Sequence, residues 1–449
     1  MNNWAVHILK NTSDKVAIID DYGSISYKHL GVKVQNYATY LYQQNIGPSD
    51  RVLITSDNNI DTVVAILAVT YIGGTVCMLS PNCSDEKIIE SISDTNARMH
   101  IKEGDVVYTS IGPVPDPYNY PEDAEGFMMT TSGSTGYQKY IRHKQSSYFE
   151  YLKLVDTCHG ITEDSVIFCG PKLHWGYGYT INLIPGLGKG STIILTDKVK
   201  KPKEFCAMLD DNQVTILFTV PIFAELLVRS QPSQQEIDSI QRLQNIYVSG
   251  DICPKRIYNL FYEFYGRYMQ NGWGQTEILS YATVNHAGEE VHPDYRCVGR
   301  LIDGVEIKID DDQVIWIKSP VQAIDYLDDP RSTDWTFKGD WVKTNDLGEL
   351  DGEYLIFLNR RGNRFKNRGR FYSVDEVEQA VLNTGLVREC LVTPKTNEGE
   401  GHLRVEIVAD SDVTNDVKQV LTHFKMDKDI VMTEMLPKTY TNKKLRLKV

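Results

Sequence analysis

The feature that most constrains the fold is a regular alternation of short apolar runs and amphipathic segments between Asp50 and Met269. Six runs are rich in apolar and β-branched side chains, so we interpret them as buried strands: RVLIT, TVCML, SVIFC, STIIL, VTILF and NIYVS. The segments between them have helical periodicity, as in DTVVAILAVTYI, SDEKIIESISD, PKEFCAMLDD and PIFAELLVRS. Strands that alternate with helices form largely parallel sheets covered by helices, so the predicted fold class is α/β.

The pattern changes twice towards the end of the chain. From Val298 to Phe357 closely spaced strands with acidic turns predict a β-rich, more antiparallel subdomain. After Arg361 a basic hairpin, two helical patterns and two strand patterns predict a small α+β unit, which is near the size at which a core is stable alone. We therefore predict an N-terminal domain over residues 1–360 and a C-terminal domain over residues 361–449.

Composition and charge exclude several classes of function. The chain has 449 residues and a net charge of -13, which disfavours binding to nucleic acid because a phosphate backbone needs positive faces. No apolar run approaches the roughly 20 residues of a membrane span, and the first residues lack the pattern of an export signal. The eight cysteines include no C-x-x-C pair, so we expect reduced thiols and a cytoplasmic protein.

One basic segment stands against the acidic total. Residues 360–370, RRGNRFKNRGR, carry six basic side chains and no acid. The segment is either a solvated hairpin or a docking surface for a phosphate-bearing ligand or an acidic partner.

A second segment, TTSGSTGYQK from Thr130 to Lys139, is a candidate phosphate loop. It follows the apolar run GFMM and precedes a predicted helix, so its backbone N–H groups and hydroxyls could face an anion while Lys139 adds a charge. It lacks the spacing of a Walker A loop, and a simple turn is the alternative interpretation.

Three further segments carry candidate ligand groups. In NGWGQTE, from Asn271 to Glu277, the asparagine amide can bond an adenine edge, the tryptophan offers a stacking face and the glutamate can hold Mg²⁺. Asp346, predicted at the end of a strand, and Arg360 could contact a ribose, as acidic residues do in dinucleotide sites. A glycine-rich turn, a surface aspartate and a frayed basic tail around Lys443 are the alternatives.

The order of these segments resembles the adenylate-forming superfamily, which contains acyl-CoA synthetases, carrier-protein-loading adenylation domains and luciferases. The resemblance runs almost from end to end. Seven segments carry it: ISYKHL, ILAVTYIGGTVCMLSPN, TTSGSTGYQK, NGWGQTE, KTND, RRGNRFKNRGRFYSVDEVE and PKTYTNKKLR. It implies a large N-terminal AMP-binding domain and a small mobile C-terminal domain that rotates about a hinge at Arg361 and Gly362.

The resemblance also implies roles for single residues. The ATP phosphates would be held by Thr131, Ser132, Gly133, Ser134, Thr135, Gly136 and Lys139. Adenine and ribose would be held by Asn271, Gly272, Trp273, Asp346 and Arg360. The catalytic residues would be Thr276, Glu277 and Lys443, with Glu277 also holding Mg²⁺.

Within the superfamily the segment PKLHWGYGYTINLIPGLGKGSTIIL is most similar to benzoate-CoA ligases and related aryl-CoA ligases. The implied substrate pocket consists of His174, Trp175, Tyr177, Val248, Ser249, Gly250 and Ile278. Amino-acid-activating relatives place an aspartate in this segment, whereas none occurs here, and a buried ammonium without a counter-charge is costly. We therefore expect an aromatic carboxylic acid as substrate and CoA as acceptor. The phosphopantetheine of an acyl carrier protein, or nucleotide binding without turnover, are the alternatives.

The sequence departs from the superfamily pattern at several positions. None of these departures removes a charged group that the chemistry needs. The residues concerned are Gln138, Tyr140, Asn345, Gly362 and Asn442. The chain is also short between Pro81 and Gly126, which suggests a trimmed N-terminal region.

Overall fold

The structure, a computed structural model, contains two large sheets and two small ones. It describes residues 2–55, 57–106, 112–131, 139–155, 158–198, 201–229, 231–279, 281–361, 364–367, 370–397, 400–424 and 427–437. Within these residues the largest sheet has 14 strands and the second has six. The predicted α/β class is confirmed.

One half of the 14-stranded sheet is parallel. Its strands are β1 (Val16–Asp20), β8 (Val166–Cys169), β9 (Thr192–Leu195), β10 (Ile216–Thr219), β11 (Asn245–Val248) and β12 (Gln270–Gly274), with β2 (Gly23–Ser26) antiparallel at the edge. The spatial order is β12-β11-β10-β8-β9-β1-β2. Every residue of β9, β10 and β11 is buried, which explains their uninterrupted apolar sequences.

The other half of the same sheet is antiparallel. Its strands are β13 (Tyr281–Val284), β14 (Cys297–Leu301), β15 (Glu306–Ile309), β16 (Val314–Lys318), β18 (Phe337–Lys338), β19 (Trp341–Asp351) and β20 (Tyr354–Arg360). β12 belongs to both halves because it pairs in parallel with β11 and antiparallel with β13. The predicted β-rich subdomain is therefore continuous with the parallel sheet.

The six-stranded sheet has the order β17-β7-β6-β4-β3-β5. Its strands are β3 (Arg51–Thr55), β4 (Thr75–Met78), β5 (Met99–Lys102), β6 (Glu125–Thr130), β7 (Tyr140–Lys144) and β17 (Asp325–Tyr326). The first four are parallel, and β7 and β17 are antiparallel additions at one edge.

The helices cover the sheets and separate them. Within the described residues they are α1 (Trp4–Leu9), α2 (Tyr27–Gln43), α3 (Ile60–Tyr71), α4 (Asp85–Thr95), α5 (Ser147–Val155), α6 (Ile184–Lys189), α7 (Pro202–Asp211), α8 (Pro221–Arg229), α9 (Gln234–Gln241), α10 (Lys255–Tyr265), α11 (Pro330–Thr336), α12 (Val374–Leu382) and α13 (Thr414–Val420). All residues of α3 except Asp61 are buried, as expected for a helix that is apolar on every side. One apolar cluster includes residues of both large sheets and of α1 to α3.

The described residues after Arg361 form the two small sheets. The basic segment contains a hairpin of β21 (Arg364–Asn367) and β22 (Arg370–Ser373), followed by a sheet of β23 (Glu389–Asn397), β24 (Glu400–Val408) and β25 (Asp427–Met432). Side chains from 374 to 424 make an apolar cluster of their own. In the described part of the chain, no helix is long and apolar enough to cross a lipid bilayer.

We expect Gly299→Ala to destabilise the protein severely. Gly299 has φ +86 and its added Cβ would lie 2.0 Å from the carbonyl carbon of Val284, so β14 could no longer lie against β13. Gly352 has φ +60 and open space around it, so Gly352→Ala adds only the conformational cost of about 1 kcal/mol. Thermal unfolding and soluble yield of the full chain should show a loss of about 3 kcal/mol or more for Gly299→Ala. Equal effects of the two variants would contradict the packing described here.

Candidate functional site

The candidate phosphate loop connects two antiparallel strands. It follows β6 and precedes β7, Thr130 pairs with Tyr140, and the Thr131 N–H donates to the Lys139 carbonyl at 3.0 Å. The prediction of a helix directly after the loop is therefore wrong, because Tyr140–Lys144 pairs as a strand and α5 begins only at Ser147. Residues 132–136 of the predicted loop lie outside the described residues.

Lys139 directly precedes β7, and three side chains contact its ammonium group. Its ammonium donates to the Ser332 hydroxyl at 2.6 Å and lies 3.8 Å from a carboxylate oxygen of Asp329. It also lies 4.8 Å from the centre of the Tyr326 ring, within the range of a cation–π contact. The lysine is about one-third exposed, at 35%, so its charge remains available to a ligand.

Glu277 lies on a single 3-10 turn, Thr276–Ile278, after β12. The Tyr326 hydroxyl donates to its Oε1 at 2.5 Å, and the Ala323 N–H donates to its backbone carbonyl at 2.8 Å. Burial raises the pKa of the Glu277 carboxyl, and the hydrogen bond from Tyr326 opposes that rise. Asp346 and Arg360 also act on this pKa, in opposite directions, so the candidate metal ligand and the candidate ribose ligands form one electrostatic group.

Asp346 is a buried carboxylate with several partners. Its Oδ2 accepts from the Trp273 indole at 2.9 Å and from the Gln275 amide at 3.3 Å. Its Oδ1 lies 3.2 Å from the Arg360 guanidinium, which is its cross-strand neighbour on β20. The residue lies within β19 and not at a strand end as predicted, and a bulge follows it at Leu347 and Gly348.

Asn271 and Gly272 lie on β12, so the alternative of a glycine-rich turn is wrong for this segment. The Asn271 side-chain amide donates to the backbone carbonyls of Tyr295 and Cys297, both at 3.1 Å. A Cβ on Gly272 would lie 2.7 Å from the Tyr281 ring, so only glycine lets this ring pack on the strand. The amide nitrogen of Asn271 therefore serves the fold, and its oxygen is the group that remains for an adenine 6-amino group.

The segment that contains His174 and Trp175 is hydrogen-bonded to Asn58, which lies between β3 and α3. Asn58 bonds the backbone at both Pro171 and Leu173, at 3.0 and 2.8 Å. His174 is buried, and burial lowers its pKa to about 3, so the imidazole is neutral. The indole nitrogen of Trp175 is buried and makes no hydrogen bond with the described residues.

A π-helix, Tyr177–Leu183, follows this segment, and such turns often occur at functional sites. The Tyr177 hydroxyl donates to the Tyr247 carbonyl on β11 at 3.3 Å. A Cβ on Gly250 would lie 3.7 Å from the Tyr177 ring, and one on Gly176 would lie 3.8 Å from the Thr276 hydroxyl. The predicted pocket residues thus converge from two elements and reach the turn that carries Glu277.

The remaining predicted pocket residues lie near the ends of β11 and β12. Val248 is buried at the end of β11, and Ile278 is buried on the 3-10 turn. The Ser249 hydroxyl donates to the Gly272 carbonyl at 2.7 Å, which links the ends of β11 and β12. Of the two predicted hinge residues, Arg361 lies 3.5 Å from Asp312 in an exposed ion pair. The other, Gly362, and the catalytic candidate Lys443 lie outside the described residues.

Sequence reasoning missed three residues of this site. They are Gln275, Tyr281 and Tyr326, and each contacts a predicted residue through a pairing that no local pattern indicates. Gln275 lies within the segment NGWGQTE. It could have been predicted as a site residue, because an amide beside a tryptophan and a glutamate is a candidate hydrogen-bond donor.

A groove of about 670 Å³ lies away from this site, at the amino ends of β3, β4 and β6. Its charged side chains pair with each other, Arg51 with Glu125 at 2.9 Å and Arg98 with Asp50 at 3.2 Å. We place the functional site at the opposite edge, where Thr131, Lys139 and the end of β12 converge, because ligands of open α/β sheets bind beyond the carboxyl ends of the strands.

Comparison with known proteins gives the family of this chain. The model of the family described as AMP-binding enzyme matches residues 5–321, so the chain belongs to this family. Benzoate–CoA ligase of Thauera aromatica is 25% identical over 99% of this chain and 94% of its own length.

Solved structures share the same fold. A benzoate CoA ligase from Burkholderia xenovorans LB400 superposes with a TM-score of 0.85 at 22% identity, covering 98% of both chains. The o-succinylbenzoate coenzyme A synthetase of Bacillus subtilis, solved with ATP and magnesium ion, has a TM-score of 0.85 at 20% identity and covers 99% of this chain and 98% of its own.

We expect Asp346→Asn to weaken binding of ATP at least about tenfold, because the variant removes the charge that orders Trp273, Gln275 and Arg360. Titration calorimetry with ATP and Mg²⁺ measures this. Asp310→Asn is the matched control, since Asp310 also accepts from a tryptophan indole, that of Trp316 at 2.9 Å, outside the site. Equal affinities in the two variants would remove Asp346 from the nucleotide site.

Proposed function

We propose that this protein is an ATP-dependent acid–thiol ligase that activates an aromatic carboxylic acid as acyl-AMP and transfers the acyl group to CoA. The observation that carries the proposal is the convergence of Lys139, Glu277 and the pair Asp346–Arg360 on one edge, in a chain of the AMP-binding enzyme family. The names of its relatives, which include benzoate and 2-succinylbenzoate CoA ligases, support the reaction type.

Activation solves a chemical problem that the substrate poses. A carboxylate does not react with a thiol, because its carbonyl carbon is shielded by charge and its leaving group is poor. In the first step the substrate carboxylate attacks the α-phosphorus of ATP and pyrophosphate leaves, which yields the mixed anhydride. Such a transfer requires positioning and neutralisation of charge more than covalent help from the protein.

We propose a role for each predicted site residue. The loop from Thr131 to Lys139 would hold the departing pyrophosphate, with the Lys139 ammonium neutralising its charge. Trp273 and the Asn271 amide oxygen would contact adenine, and Asp346 with Arg360 would contact the ribose. Lys443 would bridge the substrate carboxylate and the α-phosphate.

Glu277 fits the single protein ligand of a Mg²⁺ ion that arrives with ATP. Mg²⁺ is usually held by one or two carboxylates together with substrate phosphates. In the described part of the chain no group of three or more His, Cys, Asp or Glu side chains forms a metal cluster, so a site of this shared type suits the residues present. When bound, the ion supplies positive charge at the phosphate oxygens.

The pocket favours an aromatic acid without an ammonium group. Its predicted residues are neutral, including His174, whose burial keeps the imidazole uncharged. Tyr177 and Tyr281 lie with ring centres 6.0 Å apart, and Tyr177 lies 6.2 Å from Phe218, so the walls are largely aromatic. A substrate ammonium would lack a counter-charge among the predicted pocket residues.

Transfer to the thiol requires a second arrangement of the site. We propose that residues 361–449 form a domain that turns about Arg361 and Gly362, which removes Lys443 and admits the thiol. The separate apolar cluster of the C-terminal residues supports a unit that moves as one body. The basic hairpin of residues 364–373 would then face the phosphates of CoA. We propose that the reaction takes place in the reducing cytoplasm, and the finding that none of the eight cysteines forms a disulfide supports this location.

We expect a benzoate-type acid to drive pyrophosphate exchange into ATP, and Lys443→Ala to lower the exchange rate at least about a hundredfold through the lost charge at the α-phosphate. A panel of aromatic, cinnamic and short aliphatic acids measures the substrate class. Lys444→Ala is the control, because it removes the same charge from the neighbouring position. The proposal fails when no acid supports exchange or when both lysine variants keep the wild-type rate.

We expect CoA to consume the enzyme-bound acyl-AMP. Charged enzyme, freed of ATP and supplied with either CoA or a phosphopantetheinylated carrier protein, should release AMP with CoA only. Mass spectrometry of the thioester gives the acceptor. Acylation of the carrier protein in place of CoA would reassign the enzyme to carrier-protein loading, and ATP binding without acyl-AMP would leave a nucleotide-binding protein.

A further inference from the structure

Tyr326 contacts two predicted functional residues that are far apart in the sequence. Its hydroxyl donates to Glu277 Oε1 at 2.5 Å, and its ring lies 4.8 Å from the Lys139 ammonium. The tyrosine is buried, with 6% of its surface exposed, so neither contact is an accident of a mobile surface side chain. One side chain thus links the end of the phosphate loop to the candidate metal ligand.

The backbone around Tyr326 is fixed to the same two elements. The Ala323 N–H donates to the Glu277 carbonyl at 2.8 Å, and the Leu327 N–H donates to the Tyr140 carbonyl at 2.8 Å. Between them β17 pairs with β7, with Tyr326 opposite Ile141. Since β7 begins one residue after Lys139, the tyrosine and the loop end belong to one hydrogen-bonded unit.

An ion-pair network also connects β17 and β7 to β6 and β3 of the six-stranded sheet. Arg142 on β7 binds both carboxylate oxygens of Asp325, with its Nε 2.6 Å from Oδ1, and also contacts Glu125 at 3.4 Å. Glu125 in turn pairs with Arg51 on β3. These side chains are all less than one-third exposed, so the strand that carries Tyr326 is braced to the six-stranded sheet.

We propose that Tyr326 is a positioning residue for the reaction, which couples Lys139 to Glu277 so that the loop ammonium and the metal-binding carboxylate are set as one unit. The hydroxyl orients the Glu277 carboxylate, and the contact with the ring face fixes the position of the Lys139 ammonium. The proposal rests on the proposed function for the identity of the ligand, ATP with Mg²⁺. The coupling itself rests on the contacts of Tyr326.

Tyr326→Phe tests the hydroxyl alone. We expect the Mg²⁺ concentration for half-maximal pyrophosphate exchange to rise roughly tenfold, as for a lost hydrogen bond to a charged group. We expect the KM for ATP to stay within about twofold, because the ring still faces Lys139. Tyr326→Leu removes the ring as well and should also raise the KM for ATP several-fold.

Tyr27→Phe is the matched control, because the Tyr27 hydroxyl is also buried and donates to the Ser191 carbonyl at 2.6 Å, with no contact to the site. Equal Mg²⁺ requirements in Tyr326→Phe and Tyr27→Phe would overturn the proposal, even when both lower the unfolding temperature. Titration of each folded variant with Mn²⁺ and ATP by calorimetry gives a readout without turnover. If wild type binds Mn²⁺ with ATP but no acid drives exchange, the proposed function fails. The binding of Mn²⁺ by Tyr326→Phe, compared with that by Tyr27→Phe, then still tests the role of Tyr326. Absence of this binding in wild type overturns both.

Discussion

The site depends on one strand, β12, which pairs in parallel with β11 and antiparallel with β13. Its carboxyl end lies where the parallel and antiparallel halves meet, and ligands of open α/β sheets bind beyond the carboxyl ends of the strands. Asn271 and Trp273 lie on β12, and Glu277 follows it after two residues. The Ser249 hydroxyl ties the end of β11 to the Gly272 carbonyl, so the junction is also hydrogen-bonded where it opens.

Two carboxylates, the buried Asp346 and the half-buried Glu277, lie near this strand, and each accepts a hydrogen bond from an aromatic side chain. Asp346 accepts from the Trp273 indole and Glu277 from the Tyr326 hydroxyl. An isolated buried charge is costly, whereas a hydrogen-bonded and paired one is tolerated. Donors fixed by packing need no reorganisation when a ligand arrives, which is how preorganised groups stabilise developing charge.

The sequence was sufficient for most of the fold but for less of the site. Strands such as β10 and β11 were predictable because burial on both faces leaves continuous apolar runs, and the seven ordered segments identified the family. The helix after the phosphate loop was wrong because the polar, alternating segment Tyr140–Lys144 owes its strand conformation to pairing with β6 and β17. Tyr326 was missed for the same reason, since its two partners lie on other elements and no local pattern marks a long-range contact. The π-helix at Tyr177 likewise depends on tertiary packing and not on helical periodicity.

The proposed division of functional groups between two domains has a physical consequence. Lys139, Glu277, Asp346 and the pocket segment at His174 all belong to elements around the two large sheets, which share one apolar cluster. The described side chains from 374 to 424 have an apolar cluster of their own. If residues 361–449 turn as we propose, affinity for ATP depends mainly on the first domain, and the rate of acyl-AMP formation depends on the approach of Lys443. A lysine that approaches for the first step can also withdraw, and this is what a thiol needs in order to reach the acyl-AMP at the same place.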